Sequence, residues 1–457
     1  MSHRKPRFRR RTLSATGALM LLASGGAVAT TAEAAVSPAA GTPHSLSAGA
    51  AGSSLAVTPP MGWNPWTRYR CSDSMNEKTV KANVDIIVAR GLKAAGYEYV
   101  NLDDCWAAQE RDAEGRLQPN LVRFPGGIKA LADYVHSKGL KFGVYSSASV
   151  ATCQGVGPGK KGFPGSLGHE ETDADTWYSW GVDYLKYDSC GGGASTPADP
   201  DNNARYQAMS DALRKAGERH GRQIVYSICN PTGRSALWAP KMSNLWRTTG
   251  DIGNFYSSML ANFHENSAFP ASASPGHWND PDMLLTGNRV TNDAARPGLT
   301  PVEERTQMSL WAMMAAPLVI STDLPARDAE EKAGLGKGTF DVLTNKDVVA
   351  VDQDPLGKQG KIVQQTVLAS SPKRLDNRWA TVMSKELSDG SRAVTLTNES
   401  DTERAMGTTA LQVGLRGANN YTLVDLWTKT VTIKTGSYFN FTVPAHGTIM
   451  IKVIPTN

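Results

Sequence analysis

The chain runs to 457 residues, 40% of them hydrophobic, so it exceeds one ordinary domain and can bury a large core. Its formal net charge is +5, from 48 Lys and Arg against 43 Asp and Glu. The first 34 residues hold that whole surplus, so the basic balance is no sign of nucleic acid or an anionic membrane, and neither is expected as a partner.

Arg4, Lys5, Arg7, Arg9, Arg10 and Arg11 precede the apolar run ALMLLASGGAVAT, and Ala32-Glu33-Ala34 supplies an A-x-A site. Residues 1–34 therefore read as an export signal, and the mature protein is expected to be secreted. The apolar run is too short and too rich in small residues for a membrane span. Arg10-Arg11 leaves the Sec and twin-arginine routes both open. Residues 35–56, rich in Ala, Ser and Gly, read as a flexible leader.

From Pro59 onward, eight short β-like runs follow in order: PMGWNPW, YEYVNLDDCW, LKFGVYSS, VDYLKYDSC, RQIVYSICN, NLWRTTGDI, HWNDPDMLL and PLVISTDL. Helical patterning separates them, as at 77–91, 127–138, 171–180, 203–220 and 301–314. Alternating strands and helices imply parallel βαβ units, and eight of them a closed (β/α)8 barrel over residues 57–355. An open doubly wound sheet would want a glycine-rich phosphate turn after its first strand, and none is present.

The character changes near Asp354-Pro355-Leu356-Gly357. Alternating runs at 379–383, 392–397, 421–427 and 447–453, with Gly, Asn and Asp turns between, predict an antiparallel β-sandwich over residues 356–457.

Five cysteines, Cys71, Cys105, Cys153, Cys190 and Cys229, leave at least one without a partner inside the chain. With no C-x-x-C pair and no cluster among the eight histidines, a Cys/His metal site is not expected, nor is a cofactor.

The ends of the first seven runs carry similar residues: Trp63, Asn64 and Trp66; Asp103, Asp104 and Trp106; Tyr145; Lys186 and Asp188; Cys229 and Asn230; Trp246, Arg247 and Asp251; Trp278, Asp280, Asp282 and Met283. Barrel enzymes build their sites from the carboxyl ends of their strands, so these side chains are expected to converge on one cleft. Carboxylates with aromatic platforms suit sugar chemistry, in which one acid protonates the leaving oxygen and another attacks the anomeric carbon or activates water. Lys186 and Asp188 share a strand face, so the lysine is expected to hold Asp188 ionised as a nucleophile. The acid should lie on another strand, away from a cation that would pin it ionised. Spacing does not choose between Asp251 and Asp282. Plainer readings stand beside these: a Lys186–Asp188 ion pair at a rim, Asp103-Asp104 as a helix N-cap, tryptophans in the core, Asp280 in a turn and Cys229 as a small apolar residue.

The motifs TPPMGWNPW, YVNLDDCW, KFGVYS, GSLGHE, WGVDYLKYDSC and WNDPDML, in this order, resemble the retaining α-galactosidases of glycoside hydrolase family 27, clan D. The resemblance implies that Asp188 is the nucleophile and Asp251 the acid/base. It implies that Asp103, Asp104 and Lys186 bind outer sugar hydroxyls, that Trp66, Tyr145, Cys153, Asp282 and Met283 wall the pocket, and that Arg247 and Asn230 face the sugar's 2-position. It also implies disulfides Cys71–Cys105 and Cys153–Cys190, with Cys229 single. The expected function is release of terminal α-linked D-galactose from oligosaccharides and polysaccharide side chains. One position departs: plant and animal members read C-E-W where this chain reads Cys229-Asn230-Pro231. β-L-arabinopyranosides and α-N-acetylgalactosaminides are therefore carried as alternative substrates. A non-catalytic sugar-binding barrel and a metal-dependent hydrolase are the rivals from other classes.

Overall fold

A computed structural model describes residues 55–155, 162–190, 200–230, 234–289, 298–335, 338–369 and 378–456. The expected export signal, nearly all of the leader, and the glycines at 191–193 lie outside these residues.

Eight strands form one parallel sheet: β1 Met61–Trp63, β2 Tyr99–Asn101, β3 Lys141–Ser147, β4 Tyr184–Asp188, β5 Val225–Ile228, β6 Leu245–Arg247, β7 Trp278–Asp280 and β8 Leu318–Ile320. They pair in sequence order from β1 to β7, and β8 pairs with β1. Closure comes just past β7, where Leu284 pairs with Ile320 in parallel. All eight predicted strands are present, and a (β/α)8 barrel results.

The helices between them form for local reasons. In Glu77–Ala89, Asn76 caps the start by accepting from the Thr79 N–H at 3.0 Å, and Val80, Val84 and Ile87 recur on the buried face. In Pro301–Met313, Thr300 and Glu303 form a reciprocal capping box behind a proline in the first turn. Leu55 and Ala56, assigned by the sequence to the leader, pack beneath the barrel. There the Ala56 carbonyl accepts from Trp278 Nε1 at 2.7 Å.

The last barrel helix, Lys346–Asp352, gives way to β9 Lys361–Ala369. Seven more strands follow: β10 Arg378–Glu386, β11 Arg392–Asn398, β12 Arg404–Thr409, β13 Asn420–Asp425, β14 Val431–Thr435, β15 Tyr438–Val443 and β16 Thr448–Thr456. A six-stranded antiparallel sheet, β14-β13-β16-β11-β10-β9, faces the two-stranded ribbon β12-β15. Val394, Leu396, Tyr421, Phe439, Ile451 and Val453 lie in the core between them. The predicted strands correspond to β10, β11, β13 and β16; β9, β12, β14 and β15 were not foreseen.

Polar contacts join the sandwich to the barrel. Buried Lys385 of β10 donates to the carbonyls of Ala312 (3.0 Å) and Val351 (2.6 Å). Trp427 Nε1 donates to Ser309 Oγ at 2.9 Å. His446 lies 2.7 Å from Glu303. Among the described residues no helix is long and apolar enough to cross a membrane.

Candidate active site

The barrel interior is layered because side chains two apart on a strand share a face. Tyr99, Tyr184, Val225, Leu245 and Trp278 form an apolar plug at the amino end. Two residues further on, Asn101, Lys186, Ser227, Arg247 and Asp280 line a cavity of about 30 Å3, room for one water. Another two residues up, Asp103, Asp188 and Asp282 open into a pocket of about 140 Å3 at the carboxyl end. Gly143 permits this stacking: a Cβ there would lie 2.1 Å from Asn101 Oδ1.

Trp66, Asp103, Asp104, Tyr145, Cys153, Lys186, Asp188, Arg247, Asp251, Asp282 and Met283 all line this one pocket. Asn230, buried two residues past the end of β5, is not among those lining residues. Its neighbours 231–233 lie outside the described residues. The expectation that every strand end converges on the cleft also needs correction. Trp63, Trp106, Trp246 and Trp278 are core residues, each with its indole N–H satisfied inside the fold.

Lys186 contacts Asp103, not Asp188: its Nζ is 2.7 Å from Asp103 Oδ2, which also accepts from Asn64 Nδ2 at 2.8 Å. The rim ion pair read from adjacent positions on β4 is thus replaced by a pair spanning β2 and β4. The N-cap reading of Asp103-Asp104 fails as well, because no helix starts there. Asp104 Oδ2 instead accepts from the Gln154 N–H at 2.9 Å. Burial raises the Asp104 pKa to about 6, despite that hydrogen bond.

Asp188 accepts from the Ser189 N–H at 2.8 Å and the Tyr145 hydroxyl at 3.0 Å. Burial nevertheless raises its pKa, with Lys186, Ser189 and Tyr145 only moderating the rise. The lysine therefore does not hold this carboxyl below the usual range, as its sequence position suggested.

Asp251 differs from expectation in the opposite sense. Its side chain is 79% exposed at the pocket mouth, 3.1 Å from Arg247 Nη2. The pocket walls act to raise its pKa, but Arg247 and Lys186 outweigh them and hold it below the usual range. A cation does pin this carboxylate. Arg247 is shared, lying 3.0 Å from Asp282 Oδ2 as well. Asp282 is held in turn: at φ 80° its N–H donates to Asp280 Oδ1 at 2.8 Å, and its Oδ2 accepts from the Ile252 N–H at 2.8 Å. Asp280 thus supports a turn, as the plainer reading had it, while burial raises its pKa to about 6.

Disulfides join Cys71 to Cys105 and Cys153 to Cys190, and Cys229 is free and buried. Cys153 Sγ lies 3.0 Å from the Tyr145 hydroxyl, so the second disulfide sits against Asp188. Cys153, Asp188 and Cys190 bring possible ligand atoms within 4.8 Å of one another, but the two sulfurs are bonded together and offer no thiolate to a metal. Sequence reasoning assigned no role to four lining residues: Thr67, Arg70, Gln154 and Ile252. None is a strand-end acid or aromatic, the signal that picked out the others.

Comparison with known proteins agrees with this geometry. The family model for alpha galactosidase A matches residues 58–354, and that for the alpha galactosidase C-terminal beta sandwich domain matches 379–453. The chain belongs to the α-galactosidases of glycoside hydrolase family 27. It is 40% identical over 403 residues to the alpha-galactosidase of Cyamopsis tetragonoloba, covering 88% of this chain and 87% of that one. The crystal structure of alpha-galactosidase I from Mortierella vinacea superposes with a TM-score of 0.75 at 30% identity, over 89% of this chain and 99% of that one. The Saccharomyces cerevisiae alpha-galactosidase structure with raffinose gives 0.74 at 28% identity, over 88% and 98%. The protein is therefore a glycoside hydrolase, an α-galactosidase.

Proposed function

We propose that this α-galactosidase is an exported exo-enzyme that removes terminal α-linked D-galactose from oligosaccharides and polysaccharide side chains with retention of configuration. One observation carries the reading: a half-buried, hydrogen-bonded carboxylate, Asp188, and an exposed one, Asp251, line the same pocket. Asp188 attacks the anomeric carbon while Asp251 gives its proton to the glycosidic oxygen, leaving a covalent galactosyl ester. Water then attacks that carbon, and Asp251 takes the water's proton. Asp103, Asp104 and Lys186 hold the outer hydroxyls, and their mutual ion pair and hydrogen bonds keep those groups in place before the sugar arrives.

Arg247, which lines the pocket, is assigned contact at the 2-position. A sugar hydroxyl that engages Arg247 loosens its hold on Asp251, so that this carboxyl can carry the proton the first step needs. Export is supported by the basic-apolar-small pattern of residues 1–34 and by two disulfides, which persist in oxidising compartments.

Asp188→Asn should lose activity by several orders of magnitude while melting like the parent; near-normal turnover would overturn the assignment. Asp251→Ala should remain reactive toward an activated aryl galactoside, and azide, attacking the β-linked galactosyl ester in place of water, should rescue its turnover as α-galactosyl azide. A β-azide product would contradict retention. Faster hydrolysis of p-nitrophenyl β-L-arabinopyranoside or α-N-acetylgalactosaminide than of the α-galactoside would overturn the substrate class.

A further inference from the structure

The deep end of the pocket is fully engaged: Asp103, Asp104 and Lys186 each have protein partners there. At the mouth, Arg70 contributes an exposed side chain to the lining on the same rim as Asp251. Among the described residues its guanidinium makes no hydrogen bond or ion pair. Its contact is with the Trp66 ring, 6.0 Å from guanidinium carbon to ring centroid.

The backbone holds it there. Arg70 has φ 48°, a left-handed conformation uncommon outside glycine. Two anchors enforce it: the Arg70 N–H donates to the Trp66 carbonyl at 3.0 Å, and the next residue, Cys71, is bonded to Cys105, which directly follows Asp104. A strained residue fixed on both sides at a pocket mouth, with its donors unengaged, points to a ligand group.

We propose that Arg70 forms a leaving-group subsite, its guanidinium donating paired N–H groups to hydroxyls of the saccharide released when Asp251 acts. This rests on the proposed roles of Asp188 and Asp251, because the leaving oxygen must lie beside the acid. The planar fork of donors matches two neighbouring hydroxyls, and the half-buried Trp66 face beside it suits the C–H face of a sugar ring.

The test compares kcat/KM for melibiose, whose leaving group is glucose, with that for p-nitrophenyl α-galactoside, whose leaving group has no hydroxyls. Arg70→Ala should lose about tenfold on melibiose, the effect of one hydrogen bond to a charged donor, and less than about twofold on the aryl substrate. Arg70→Gly, whose backbone suits the left-handed conformation, should show the same discrimination while melting like the parent. Equal loss on both substrates, or no loss on melibiose, would overturn the subsite. A parent enzyme inactive on both substrates would overturn the underlying assignment instead.

Discussion

Replacing Tyr145 by Phe removes one oxygen from the pocket and leaves the ring, with Lys186 Nζ 5.3 Å from its centroid, in place. Among the described residues that oxygen and the Ser189 N–H both donate to Asp188. Burial keeps the Tyr145 hydroxyl protonated, so it donates and the carboxylate accepts. A hydrogen bond to a charged group contributes about 1.5–3 kcal/mol, or about tenfold to a hundredfold in an equilibrium. The sign follows from the form that is stabilised. The bond favours ionised Asp188, so its loss raises a pKa that burial has already raised, and the acidic limb of the kcat/KM profile moves to higher pH. Activity on p-nitrophenyl α-galactoside should therefore fall by that factor at acidic pH and by much less on the plateau. A uniform loss at all pH values, with the limb unmoved, would show that Tyr145 contributes sugar contact rather than charge stabilisation. A limb displaced to lower pH would refute the reasoning outright.

Lys385→Met leaves the Val351 carbonyl without its side-chain donor, takes one donor from the Ala312 carbonyl, and removes the cation that restrains the burial-raised pKa of Asp352. The cost should be about 3–5 kcal/mol, seen as an earlier thermal transition with turnover at low temperature preserved. His446 is flanked by Glu303 and Asp401, each at 2.7 Å, and stacks on Tyr256; these hydrogen bonds, Glu303's foremost, raise its pKa against partial burial. Its contribution to stability is complete below about pH 6.5 and drains away as pH rises through the raised value. Melting temperature should thus decline from about pH 6.5 to pH 8 more steeply in the parent than in His446→Gln. Opening the Cys153–Cys190 bond releases a loop spanning 37 residues, worth about 4 kcal/mol by chain entropy, and frees Cys153 from the Tyr145 hydroxyl. The Cys153→Ser/Cys190→Ser enzyme should lose both melting temperature and kcat, and unchanged kcat would show that the bond does not support Asp188.

Much of this protein is legible along the chain. The eight barrel strands alternate with helices whose caps and apolar periodicity are local properties, so their order, and with it the parallel barrel, follows from the sequence. The acids that line the pocket sit at strand ends for the same reason. The unforeseen sandwich strands lack such a local mark: β14 turns Val431 and Ile433 to solvent, and β12 carries Gly407 in its middle. Alternation there does not report an inside face.

Three decisions belonged to the tertiary structure. Lys186 and Asp188 share a face but lie about 6.5 Å apart along the strand, whereas barrel closure brings Asp103, 83 positions away, to 2.7 Å. Tryptophans at predicted strand ends went to the core because layer and face alternate along a strand: Trp278 lies in the apolar plug, two residues short of the polar layer, and Trp246, between Leu245 and Arg247, takes the opposite strand face. The proton affinities of Asp188 and Asp251 went against their sequence neighbourhoods because burial and a shared arginine depend on what the fold stacks around a carboxyl, and no spacing along the chain carries that information.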